Sequence, residues 1–224
     1  MFRQKLGMPS AKPKTSYHHG DLRSALIAVA ERLLTEQAGK PFTLREVARV
    51  AGVSHNAPYN HFADRRALLA AIAARGFDDL TATLQRDLAS VDVEDVAAGI
   101  RATAKSYVAY AVAYPARYRL MFSAELAGCD DDAFQAAGER AFKVLQDLIA
   151  EGVSSGRLRE DPLGTHALTA WSLVHGFGTL VLDGRVPIPL GDEAFGALAD
   201  TIAATLVDGL ADCPSQGASP IHDP

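Results

Sequence analysis

Cysteine is scarce, with two in 224 residues. Cys129 and Cys213 lie far apart in no metal-like spacing, which excludes a disulfide framework and a zinc site and fits a reducing cytoplasm. Long apolar runs are missing as well. The longest, Leu168 to Leu182, contains His175 and two glycines and is too short to span a bilayer. The N-terminus carries Arg3, Lys5, Lys12 and Lys14 and lacks the apolar centre of a secretory signal. Strand-like alternation is hard to find. No Ser/His/Asp, Cys/His or metal-ligand constellation stands out, so the chain suggests no substrate class for an enzyme. The adjacent His18 and His19 point apart and have no third ligand at helical spacing, so neither metal nor cofactor is expected.

What is present is helical. Hydrophobic residues make up 48% of the chain and charged ones 22%, enough for one large or two small globular units with a core burying roughly 70% of the unfolded surface. Ala, Leu, Glu and Arg recur at three-and-four spacing between Gly/Pro breaks, which predicts an all-α fold. The net charge of −5 hides an asymmetry: residues 1–66 hold 11 Lys and Arg against 5 Asp and Glu, and the remainder holds 11 against 22. A basic head therefore precedes an acidic body. A polyanion responds to the field of the part that touches it, not to the overall charge. Solvated charges also cluster by chance, so charge alone does not decide.

The first helix is predicted to start near Gly20 or Asp21, to carry Leu22, Leu26, Ala30 and Leu33 on one face, and to end before Gly39 and Pro41. A second starts at Thr43, which with Glu46 forms the T-x-x-E capping box. Phe42 and Val47 match a hydrophobic staple, and Gly52 suits a left-handed C-cap. The stretch "GVSHNAPYNHF" then predicts a third helix from a Ser54 cap to Phe62, with Tyr59 and Phe62 inward. Pro58 would cost about 3 kcal/mol in a helix interior. With Ser54 as cap it forfeits only the bond to the cap's own carbonyl, and with His55 as cap nothing, so it limits where the helix begins. Two short helices joined by a glycine turn make a helix-turn-helix. An ordinary helical hairpin is the alternative, and the basic charge and hydrogen-bonding side chains favour DNA.

The segment "FTLREVARVAGVSHNAPYNHFADRRALLAAIA" resembles the DNA-binding region of TetR-type transcriptional regulators at Thr43, Val47, Ala48, Ala51, Gly52, Val53, Ser54, Tyr59, His61, Phe62 and Leu68. "YHHGDLRSAL" and "AWSLVHGFGTL" resemble a branch with a C-terminal Trp…His-Gly motif, here Trp171, His175 and Gly176. The resemblance implies an N-terminal three-helix helix-turn-helix domain (17–66) followed by a larger helical effector-binding and dimerisation domain (67–211). The basic arm (1–16) is expected to be disordered without DNA, and the tail (212–224), rich in Pro, Ser and Gly, to be disordered too. His55, Asn56 and Asn60 would then face base edges. Thr43, Ser54, Tyr59, His61 and Arg65 would hold phosphates. Three positions depart from the family pattern: Pro58 replaces a small aliphatic residue, Asn60 a basic one and Arg65 a lysine. Asn60 gives up a charge but can pair bidentately with adenine, which predicts weaker nonspecific affinity and more base discrimination.

In the body the sequence predicts a linker helix from Leu68 to Leu88 and a helix over 93–113. A break at Pro115 precedes a short helix with Tyr118, Met121 and Phe122. Further helices are predicted over Asp131–Gly152, Pro162–Asp183 and Gly191–Leu210. Tyr107, Tyr110, Tyr114, Tyr118, Met121, Phe122, Trp171 and His175 fit an apolar effector pocket and fit plain core equally; the resemblance favours the pocket. His175 is either a ligand hydrogen-bonder or a structural histidine. The stripes Leu168, Trp171, Leu180, Leu182 and Phe195, Leu198, Ile202, Leu206, Leu210 face the chain's own core or, as the resemblance implies, a second chain. Gly176, Leu180, Leu198, Ile202 and Leu206 would lie in that homodimer interface.

The expectation is a cytoplasmic, non-enzymatic, ligand-responsive DNA-binding regulator that touches no membrane. As a repressor it would leave a near-palindromic double-stranded operator when a small apolar effector binds. A helical protein-interaction module and an all-helical enzyme are the alternatives.

Overall fold

The structure is a computed structural model that describes residues 19–37, 40–92, 94–186 and 193–210, with backbone alone at 19–21 and 193–196. The basic arm, His18, the break at Gly39, Cys213 and the tail, with the side chains of His19 and Phe195, lie outside the described residues. Among those residues are eight α-helices, one 3-10 helix and no β-strand. No helix among them is long and apolar enough to cross a membrane.

Helix α1 (His19–Glu36) lies against α2 (Leu44–Ala51). Thr43 is extended, and its Oγ1 accepts the Glu46 N–H at 3.1 Å. Only this half of the predicted capping box forms, because Glu46 turns to the residue just after α1, its Oε1 accepting from Gln37 Nε2 at 2.9 Å. Gly52 ends α2 at φ 71°. The Gly52 and Val53 N–H groups donate back to the Arg49 and Ala48 carbonyls, which is the full Schellman arrangement.

The predicted helix from Ser54 to Phe62 is a 3-10 helix of four residues, Ala57–Asn60, with Asn56 as its cap. Ala57 donates to Ser54 O at 3.0 Å and Tyr59 to Asn56 O at 3.1 Å, both three-residue steps. Pro58 has no N–H to close a four-residue step onto Ser54. Its ring is buried, and its carbonyl accepts from both His61 and Phe62. Phe62 points inward as expected. Tyr59 does not: it is 49% exposed.

Helix α3 (Arg65–Leu88) begins three residues before the predicted linker helix because Asp64 caps it, Oδ1 accepting Ala67 N–H at 2.8 Å. Every residue from Leu68 to Ala74 is buried. A helix that is apolar all round must be covered all round, and α3 meets α1 from the head and α4, α5 and α6 from the body. The body comprises α4 (Val96–Ala113), α5 (Pro115–Met121), α6 (Asp132–Ser154), α7 (His166–Leu182) and α8 (Glu193–Leu210). Helix α7 starts four residues later than predicted. The Asp161 carboxylate accepts the Thr165 and His166 N–H groups at 2.8 and 2.9 Å, which fixes that start.

One apolar cluster runs without a break from Leu26 and Val47 in the head through Ile72 and Phe77 to Tyr107 and Val174 in the body. A second, of Val96, Ile100, Ile149, Leu158, Leu206 and Leu210, closes the far end. A Cβ at residue 52 would meet nothing within 4 Å, so only the left-handed backbone penalises a side chain there. Gly52→Ala is expected to lower stability by about 1–2 kcal/mol, and Gly52→Asn by less, measured by urea unfolding.

Candidate nucleic-acid interface and ligand cavity

The turn and the 3-10 helix after α2 put Ser54, His55, Asn56, Tyr59 and Asn60 together on an exposed surface, with Thr43 at the start of α2 also exposed. The short helix explains the gathering. Pro58 within it and Phe62 just after it are buried anchors, and Tyr59 and Asn60 between them are left exposed. His61 is half-buried, its ring 6.5 Å from that of Phe62. Lys40, Arg45 and Arg49 are exposed cations of the same head, with no ion pair among the described residues. Their signal in the sequence is lysine and arginine flanking the Thr43 cap.

Arg65 is not free. Its Nη1 pairs with Glu125 Oε1, and its guanidinium lies 5.3 Å from the centre of the Phe42 ring. Next to it, Arg66 donates from Nε to Glu125 O at 3.1 Å and from Nη2 to Ala127 O at 2.8 Å. The start of α3 is thus tied to the loop after α5.

A cavity of about 330 Å³ opens between the two apolar clusters. Tyr107, Phe122 and Trp171 of the predicted pocket residues line it. The other five do not. Tyr110 is buried and donates to Gly76 O at 2.8 Å, Tyr114 is 48% exposed, and Met121 packs where a Cβ on Gly76 would stand. Tyr118 and His175 lie behind Tyr107. The walls that sequence reading missed are Phe77, Leu80 and Leu84 on α3 and Phe142 and Leu145 on α6. Their helical periodicity was legible, but periodicity does not separate a wall from packed core.

A polar cluster meets the cavity at Tyr107 and Trp171, which line it, and continues behind them to Tyr118 and His175. Tyr107 OH and Tyr118 OH each stand 2.8 Å from His175 Nδ1, and Trp171 Nε1 donates to Tyr107 OH at 3.2 Å. Burial raises both phenol pKa values, helped at Tyr107 by the neighbouring Tyr118. Burial also lowers that of His175. All three groups are therefore neutral at neutral pH.

Residues 26–72 match the profile described as bacterial regulatory proteins of the tetR family, and residues 100–206 match the tetracyclin repressor-like C-terminal domain. The chain belongs to the TetR family. Both profiles describe regulators, not enzymes. A protein of unknown function from Rhodococcus sp. RHA1 is 33% identical, with a TM-score of 0.77 covering 89% of this chain and 100% of that one. An HTH-type transcriptional regulator of Mycobacterium tuberculosis is 24% identical over 140 residues, 62% of this chain and 60% of that protein; the chain thus matches less than two thirds of that relative's length. AibR, solved in complex with isovaleryl coenzyme A and operator DNA, shares the fold at a TM-score of 0.59 and 15% identity, covering 84% of this chain and 97% of that one.

In this TetR-family chain, α5 joins the cavity to the head. Phe122 at its end lines the cavity, while Arg117 reaches Glu31 of α1 and, at 2.7 Å, Asp79 of α3. The Arg117 guanidinium also stands 4.9 Å from the Tyr114 ring centre. Gly76 permits the crossing, since a Cβ there would fall 2.7 Å from Met121 Sδ and 3.0 Å from Arg117 Cδ. On the far side of the body, α7 leaves Leu168, Leu173 and Leu180 exposed, and Gly176 has open space beside it. Leu198 and Ile202 of α8 are half-buried. Leu206 is 6% exposed and lines the cavity of its own chain, so its side chain is spent inward.

Arg117 and Glu31 side chains are each 17% exposed, so removing the cation strands a largely buried carboxylate. Arg117→Met is expected to cost roughly 2–3 kcal/mol, somewhat less than for a fully buried pair, read by chemical denaturation. A loss below about 0.5 kcal/mol, as for an exposed pair, would contradict this.

Proposed function

We propose that the protein is a DNA-binding transcriptional regulator, a repressor that leaves a near-palindromic operator when a small apolar molecule fills the cavity. The observation that carries the reading is α3, whose first half is packed in the helix-turn-helix head and whose second half walls the cavity. A ligand touching Phe77, Leu80 and Leu84 acts on the same rigid rod that carries the head. Its effect on DNA then equals its preference between the two placements of that rod.

In this reading His55, Asn56 and Asn60 read bases, and Thr43, Ser54, Tyr59 and His61 hold phosphates with Arg45 beside them. The exposed leucines and Gly176 of α7, with Leu198 and Ile202 of α8, pair with a second copy across a two-fold axis. Two heads so related call for half-sites about 34 Å apart or a multiple of it. Arg65 joins the phosphate set only by leaving Glu125, so the loop after α5 and the DNA compete for one guanidinium.

Selection of duplexes from a random pool at fixed salt tests the reading. A two-fold symmetric consensus is expected; a pool without enrichment would remove the DNA-binding function. On the recovered duplex, Asn56→Ala should lose about 1–3 kcal/mol with little change on random sequence. Equal losses on both would move Asn56 to the phosphate set. Glu125→Gln should raise affinity for both duplexes and steepen the log K against log salt slope by up to about 1, since it frees one phosphate-binding charge. An unchanged slope would take Arg65 out of the interface.

A further inference from the structure

The cavity's chemistry narrows its ligand, on the premise that it is the effector site proposed above. An apolar cavity of about 150 Å³ accepts benzene, so one of about 330 Å³ takes roughly ten to twelve carbon atoms. Among the described residues that line it, the polar groups are Thr103, Tyr107, Trp171 and Glu139. The Thr103 hydroxyl donates to the Gly99 and Ile100 carbonyls at 3.0 Å each. The Trp171 N–H is given to Tyr107. Glu139, exposed, supplies negative charge. No lysine or arginine is among the described residues of the lining, and the nearby Arg140 and Lys143 are paired with Asp78 and Asp147.

The remaining donor is the Tyr107 hydroxyl. His175 Nδ1 is 2.8 Å from both Tyr107 and Tyr118, yet one ring nitrogen holds either one lone pair or one hydrogen. If it holds the lone pair, Tyr118 can satisfy it in place of Tyr107 at the same distance. If it holds the hydrogen, neither phenol proton is needed there. In both tautomers the Tyr107 hydrogen can leave the imidazole without unpairing it, and in the 3.4 Å contact with Tyr118 OH the Tyr107 oxygen accepts, so that hydrogen is left for an acceptor in the cavity. Its raised pKa keeps that hydrogen in place.

We propose that the cavity selects a neutral, largely apolar molecule of about ten to twelve heavy atoms with one hydrogen-bond acceptor, held by the Tyr107 hydroxyl, and that it rejects carboxylates. A carbonyl of a ketone, ester or lactone meets this chemistry. An ionised carboxylate would be buried without a cation and near Glu139, at a large desolvation cost.

Trp171 is the chain's one tryptophan and lines the cavity, so its emission reports occupancy. The test titrates 2-nonanone, nonanoate and butylbenzene into the full chain at neutral pH and repeats the series with Tyr107→Phe. The expected result is that 2-nonanone and butylbenzene bind, that nonanoate binds about a hundredfold more weakly than the ketone or not at all, and that Tyr107→Phe weakens the ketone roughly tenfold while leaving butylbenzene unchanged. Because the hydrocarbon serves as the internal reference, a general loss of stability in the variant cannot imitate this pattern. Should the variant not fold, the ketone-to-carboxylate ratio in the unmodified protein still decides. Nonanoate binding as tightly as the ketone, or a ketone indifferent to Tyr107→Phe, overturns the inference and leaves the cavity reading standing. Failure of all three probes to bind, in emission and in calorimetry, removes the cavity reading and the inference with it.

Discussion

Helix α3 has to satisfy two cores at once. Its residues Leu68 to Ala74 are buried all round, with the head's α1 on one side and the body's α5 and α6 on another. Neither unit is complete without it, because Leu68, Leu69 and Ile72 would otherwise stand exposed. At about 2 kcal/mol per large aliphatic side chain, that exposure costs about 6 kcal/mol, comparable with the whole stability of a small three-helix head, roughly 2–8 kcal/mol. The continuous apolar cluster from Leu26 to Ala203 expresses the same constraint. Head and body therefore share one apolar core through α3.

Charged links follow the same route. Arg117 joins α1, α3 and α5, and the Arg65 and Arg66 pair joins the start of α3 to the loop at Glu125 and Ala127. Phe122 stands between these links and the cavity, its ring 4.5 Å from His175 and 5.4 Å from Phe77. In the proposed reading, an occupant of the cavity gains dispersion contacts with its lining and so favours whichever placement of Phe77 and Phe122 fits it. On that reading a displacement of either ring would carry to α3 or α5, since packed helices move as units and not as continua.

Much of this was legible in the sequence because the signals were local. Thr43 and Gly52 bound α2 through their own backbone conformations, and the break at Pro115 needs no tertiary context. The third helix was misjudged because the Ser54 cap signal competed with Pro58, and the proline's missing N–H and buried ring prevailed. The aromatic cluster was visible as composition only. Tyr107, Tyr110, Tyr114 and Tyr118 fall at helical spacing, yet one lines the cavity, one holds Gly76 O, one is exposed and one backs His175, according to which partner helix each meets. Leu206 read as part of a stripe and faces the cavity, because α4 covers that side of α8. Such assignments depend on the crossing of helices, which periodicity along one helix does not encode.

Coupling through α3 has one thermodynamic requirement: if an occupant of the cavity weakens DNA binding, DNA must weaken that occupant's binding by the same factor. The decisive measurement is the affinity of a cavity-binding ketone, read from Trp171 emission, with and without saturating operator duplex. The account predicts an affinity roughly 5- to 150-fold lower on the duplex. Equal affinities in the two states would contradict it.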